Sequence, residues 1–127
     1  MSERSTEIEA WAMAYIELYE SGAPVNEKHA LWWAAEQFML PEDEAAAEKS
    51  WETILAIVAR NPSGTVLSVL AAGPLEDLIH YFGPLFVSRI EQQARSDQTF
   101  RDLLGGVWES GQPDIWKRVA ASRGPIW

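Results

Sequence analysis

The sequence predicts an all-α protein, either a compact bundle or a short solenoid-like stack of about seven to eight helices. Three observations carry that prediction. Apolar residues recur at three- and four-residue spacing along almost the whole chain, no stretch sustains the alternation of a half-buried strand, and prolines and glycines cut the pattern into short helical segments. At 127 residues, 47% of them hydrophobic, the chain has the size of one helical domain spanning residues 1–127.

The first helix is expected from about Ser5 to Tyr19, where Ile8, Trp11, Ala12, Tyr15 and Leu18 share one stripe and Glu9 and Glu17 lie off it. Ser21-Gly22-Ala23-Pro24 ends it. Asn26 is placed to cap a second helix running through Met39, with Leu31, Trp32, Ala35 and Phe38 or Met39 inward and Glu27, Lys28 and Glu36 outward. Pro41 breaks the chain. The third helix has the clearest period, with Ala47, Trp51, Ile54, Leu55 and Val58 on one face and Glu44, Glu48, Lys49 and Glu52 on the other, and it stops near Asn61-Pro62-Ser63-Gly64. Thr65 to Ala72 has almost no polar face and belongs in the core. Gly73-Pro74 and Gly83-Pro84 each read as a break followed by a helix restart, because proline suits the first turn, where its missing N–H is not needed. The ten-residue echo of Gly-Pro-Leu is too short for a helix-pair repeat, so it marks two similar helix starts. Leu85, Phe86, Ile90 and Ala94 then face inward, Asp97 caps a short helix carrying Phe100, Leu103, Leu104 and Val107, and a last helix from Pro113 to Ser122 buries Ile115, Trp116 and Val119.

Two segments, Leu70-Ala71-Ala72-Gly73-Pro74-Leu75-Glu76-Asp77-Leu78-Ile79 and Phe100-Arg101-Asp102-Leu103-Leu104-Gly105-Gly106-Val107-Trp108, carry a family resemblance, joined by a Trp-Glu-x-Ile-Leu helix from Trp51 to Val58. Over roughly Trp11 to Val119 the chain resembles a bacterial family known only as a domain of unknown function. The resemblance implies a small helical bacterial or phage protein and assigns no activity.

Ten Lys and Arg against nineteen Asp and Glu give a formal charge of 10 − 19 = −9, a field that repels nucleic-acid phosphates, so direct DNA or RNA binding is not expected. The excess is uneven. Residues 1–60 hold twelve acids and four bases (−8), and residues 61–127 hold seven and six (−1). With no cysteine, disulfides, a thiol nucleophile and Cys-ligated zinc are excluded. The polar, acidic stretch from Met1 to Glu7 is not a secretory signal, and no apolar run approaches the ~20 residues of a membrane span, so a cytoplasmic location is expected.

Glu76, Asp77 and His80 form the best polar constellation, because Glu76 and His80 stand at i and i+4 on one helix face and could share a proton or a metal. The plainer reading makes Pro74 the first helical residue and Glu76 the third, where a carboxylate meets free N–H groups. Two carboxylates and one imidazole on one helix also fall short of three ligands and an open position, so neither metal nor cofactor is expected. His29, near Trp32 and Trp33, reads as a histidine beside an aromatic at a helix edge. No serine-hydrolase elbow, phosphate loop or dinucleotide glycine fingerprint is present. Gly105-Gly106 reads as a helix end or as close packing under Trp108.

Seven tryptophans supply much buried area. Trp11, Trp51 and Trp116 fall on apolar stripes. Trp32 and Trp33 lie about 100° apart on a helix, so one of them is expected at the surface, and Trp33 and Trp127 are the candidates for interface anchors. The acidic run Glu42-Asp43-Glu44 suits a helix start, where each well-placed carboxylate gains about 0.3–1 kcal/mol, but that does not account for Glu48, Glu52 or Glu36. A solvated face and a docking face for a basic protein are the two readings. The leading functional expectation is a non-enzymatic protein-binding module of inhibitor or immunity type, masking a basic site on an effector or a nucleic-acid-binding protein through Trp33, Glu36, Glu42, Asp43, Glu44, Glu48 and Glu52. The alternatives are a hydrolase-like or metal-binding enzyme using Glu76, Asp77 and His80, and a homo-oligomerisation domain using the tryptophans.

Overall fold

Every regular element in the computed structural model, which describes residues 2–39 and 41–127, is helical. In chain order these are α1 (Glu3–Glu20), α2 (Trp32–Glu36), α3 (Glu44–Ala59), α4 (Gly64–Leu70), a π-helical turn (Ala71–Leu75), α5 (Glu76–Ser96), α6 (Gln98–Leu104) and α7 (Pro113–Ser122). The all-α expectation holds. Packing divides the chain into two compact units, residues 1–67 and 68–127.

In the first unit, α1 is the element on which both α2 and α3 pack. Ser2 caps it, its Oγ accepting from the Ser5 N–H at 3.1 Å, and the expected stripe of Ile8, Trp11, Ala12, Tyr15 and Leu18 is buried. Trp11 anchors the core twice over. Its indole N–H donates to the Ala34 carbonyl at 2.8 Å, and its ring lies 4.4 Å from Phe38. Tyr15 meets Phe38 edge-on at 5.2 Å, and burial, reinforced by Tyr19, raises its hydroxyl far above the ordinary tyrosine range. On α3, Asp43 is the N-cap, accepting from the Ala46 N–H at 2.8 Å, while Ala47, Trp51, Ile54, Ile57 and Val58 face inward. Asn61 ends it at φ +48°, a left-handed conformation that asparagine tolerates better than most residues.

The second helix is much shorter than expected. Asn26 caps nothing longer than a turn: its Oδ1 accepts from the Lys28 N–H at 2.9 Å, and Nδ1 of His29 accepts from the Leu31 N–H at 3.0 Å. These local bonds compete with the helical ladder, so the regular helix starts only at Trp32.

The two Gly-Pro pairs differ. Helix runs on through Gly73-Pro74, against expectation, whereas at Gly83-Pro84 two helical stretches meet across a kink, the break and restart the sequence predicts. At Pro74 the chain widens into the π turn, which moves the carbonyl that would meet the proline ring out of its way and absorbs the missing donor. At Pro84 the same conflict is relieved by a kink, with Phe82 at φ −132°, ψ 24°. Gly83 has a packing reason as well, since a Cβ there would lie 2.9 Å from Ile115 Cγ2 on α7. Around α5 gather α6 and α7, with Leu78, Ile79, Phe86, Ile90, Phe100, Leu103 and Val119 in the core. Asp97 caps α6 as expected, accepting from the Phe100 N–H at 3.1 Å.

Candidate functional site

Three surfaces bear on function: one in the first unit and two in the second. Each is built by different chemistry.

In the first unit the carboxylates are arranged around too few bases. Residues 1–67 hold twelve acids and four bases, a net −8, while residues 68–127 hold seven and six, a net −1. The charge imbalance therefore coincides with the division into units. Three of the four bases are already engaged: Arg4 with Glu52 at 2.5 Å, Lys49 with Glu7 at 3.2 Å, and Arg60 with Glu9. Asp43 is committed as the α3 cap. Glu20 accepts from the Ser63 backbone N–H at 2.9 Å, which, with the Ser63 hydroxyl, holds its carboxyl below the usual range. Glu36, Glu42 and Glu44 remain exposed. Of the predicted partner-binding residues, Glu44, Glu48 and Glu52 thus fall on one row of α3, with Glu52 taken up by Arg4. Trp33 and Glu36 sit apart from that row, on α2. Trp33 is 42% exposed, as its place beside half-buried Trp32 led one to expect.

In the second unit, Glu76, Asp77 and His80 do come together on α5, but not as a helix cap, because α5 continues from the π turn and has no free N–H groups at Glu76. Glu76 and His80 hold a loop instead. Glu76 Oε1 accepts from the Trp108 backbone N–H at 3.2 Å, and His80 Nδ1 lies 3.0 Å from the Ser110 hydroxyl. Burial, then the Glu76 charge, raises the Asp77 pKa, with His80 opposing. Gly111 lets the loop close on the helix, with φ +75° and room for no Cβ, which would lie 2.9 Å from the Ile79 carbonyl. Among the described residues no three His, Cys, Asp or Glu side chains are grouped as metal ligands.

Beside that loop opens a cleft of about 560 Å³. Its rim holds the most exposed large apolar side chains of the unit: Trp108 at 78%, Ile126 at 68% and Trp127 at 57%. The segment after α7 lies along the end of α6, with the Gly124 N–H donating to the Arg101 carbonyl at 3.1 Å and the Trp127 N–H to the Gly105 carbonyl at 3.0 Å. Gly105 and Gly106 make that approach possible, since a Cβ on the first would run into the Pro125 carbonyl and on the second into the Trp127 ring. Gly105 ends α6, as one of the two sequence readings has it, and the close packing is of Gly106 under Trp127 where Trp108 was expected. The sequence points to Trp127 as a surface anchor but not to Trp108 or Ile126. The available signal was Val107, which takes the last inward position after α6 and leaves Trp108 to solvent.

A family model described as a family of unknown function (DUF6869) matches residues 21–126. No curated protein and no solved structure matches the chain. No helix among the described residues is long and apolar enough to cross a membrane.

Proposed function

The chain belongs to that family of unknown function, and from that premise we propose that it is a non-enzymatic protein-binding module whose first unit takes a partner with a basic surface. One observation carries the reading: residues 1–67 keep a net −8 after all four of their bases are counted, and three of those bases are already paired to Glu52, Glu7 and Glu9. Exposed Glu36, Glu42 and Glu44 supply solvent-facing carboxylates, and Trp33 supplies a large apolar contact of the kind that anchors interfaces. An acidic surface of this kind can occupy lysine and arginine positions that otherwise hold phosphate, which favours an inhibitor or immunity-type role as the form of the activity.

The test is affinity capture from the native host at low and at moderate salt, comparing the parent with a Glu36→Lys, Glu42→Lys, Glu44→Lys variant and with Trp33→Ala. A basic protein should be retained by the parent, lost from the charge-reversed variant, and released by salt because the contact is screened. Retention that ignores both charge reversal and salt would overturn the acidic-surface mechanism.

A further inference from the structure

Charge in the second unit is nearly balanced overall but not locally. A cleft of about 480 Å³ is lined by Arg95 near the end of α5, Arg101 of α6 and Arg123 just past α7, so three of the chain's ten basic residues converge on one cavity. The one carboxylate in the lining is Glu91, and it is already satisfied: Arg118 donates from Nε at 3.1 Å and from Nη2 at 2.5 Å, which holds the Glu91 carboxyl below its ordinary range. Arg95 adds to that lowering, so the wall sets three arginines against a single carboxylate that Arg118 already holds.

Two of the three are held in place by groups that do not neutralise them. Arg101 donates from Nε to the Ala94 carbonyl at 3.0 Å and from Nη1 to Gln98 Oε1 at 2.8 Å, both uncharged acceptors. Arg123 lies over the Trp116 ring, 5.6 Å from its centroid. Satisfying the end of α5 uses one N–H of Arg101 and leaves the positive charge in place. The lining Ser122 hydroxyl donates to the Arg118 carbonyl at 2.9 Å, so recognition falls to the arginines.

We infer that this cleft is a binding site for a phosphate group, carried by a small phosphomonoester or present as the free ion. Planar guanidiniums match the oxygens of a tetrahedral dianion through paired N–H donors, and a cavity of this volume has room for more than the phosphate alone. The inference is independent of the acidic-surface reading, which concerns the other unit.

Calorimetric titration of the whole protein with inorganic phosphate and, separately, with glycerol 1-phosphate tests it, with ionic strength held constant by sodium chloride. At least one of the two should bind saturably at one site, and the tighter of them tells whether the ester half occupies the rest of the cleft. Arg95→Gln and Arg123→Gln, each checked for intact fold by circular dichroism, should weaken binding about tenfold. Lys117→Gln, exposed on α7 and outside the cleft, should change it less than about twofold. Chemical-shift mapping on the unaltered protein gives a reading that needs no variant, since phosphate must move the amides of residues 94–101 and 121–123. Absence of saturable binding by both ligands, shifts scattered outside those segments, or equal weakening by Lys117→Gln would overturn the site.

Discussion

The two units are held by different means. In residues 1–67, ion pairs run between α1 and α3 or the turn that follows α3, around an aromatic core centred on Trp11 and Phe38. In residues 68–127, close backbone approaches dominate, at Gly83, Gly105, Gly106 and Gly111, supplemented by hydrogen bonds that tie a loop to α5. The first arrangement tolerates a change in shape at its surface and responds to charge. The second has little net charge and is fixed where backbones meet, its arginines gathered at one cleft. Net charge is thus the property of one unit and close backbone fit that of the other, and each can be perturbed separately.

The largest expected effect is at the centre of the first unit. Trp11→Ala removes a buried ring, leaves the Ala34 carbonyl without its donor and opens a cavity beside Phe38. A loss of about 3–5 kcal/mol is expected in urea denaturation. Trp33→Ala, by contrast, should stay within about 0.5 kcal/mol, because that side chain is 42% exposed. Comparable losses from the two would mean that Trp33 is part of the core and not available as an anchor.

Glycine substitution should separate the units next. Gly22 and Gly111 both have positive φ, at +77° and +75°, so alanine is strained at either. They differ in their surroundings. An added Cβ on Gly22 meets nothing within 4 Å, whereas on Gly111 it would lie 2.9 Å from the Ile79 carbonyl. Gly22→Ala should cost on the order of 1 kcal/mol, and Gly111→Ala a further 1–3 kcal/mol, roughly the range for overpacking. Equal denaturation midpoints for the two variants would remove the close-fit account of the second unit.

Much of this was legible in the sequence wherever helical period decided the outcome. The stripes of α1, α6 and α7 are buried as their spacing required, that of α3 is buried except at Leu55, with Ile57 taking an inward place, and Asp97 caps where it was expected to. Local rules failed where a tertiary contact overrode them. Proline after glycine normally starts a helix, as it does past the kink at Phe82, but Pro74 lies inside one because its neighbours Ala71, Leu75, Leu78 and Ile79 stay buried when the helix continues through the π turn. Asn26 and His29 went the other way, trading a helical turn for side-chain bonds to nearby N–H groups. The charge imbalance was countable from the sequence, yet its match to a compact unit was not. The arginine cleft was less legible still, since Arg95, Arg101 and Arg123 are spread over three elements and no spacing rule joins them.

The smallest effects are the pH dependences, and they should have opposite signs in the two units. Glu20 in the first unit has a lowered pKa, chiefly because the Ser63 backbone N–H stabilises its charged form. Its contribution to stability is fully present above the unfolded value of about 4.3 and is lost as pH falls through the lower folded value. Asp77 in the second unit has a raised pKa, chiefly from burial and then from Glu76. Its protonated form is the one the fold prefers, so the relative stability it confers is present below the unfolded value of about 3.9 and is lost as pH rises through the higher folded value. Glu20→Gln should therefore be less stable than the parent at pH 7, with the gap closing as pH drops below about 4.3. Asp77→Asn should be more stable than the parent at pH 7, with its gap closing toward pH ~3.9. Urea titrations of both variants at pH 7, 5 and 3.5 read the two slopes directly. Slopes of the same sign would show that Asp77 is stabilised as a carboxylate by His80, which would restore that pair as an electrostatic unit rather than a buried acid beside a loop-holding histidine.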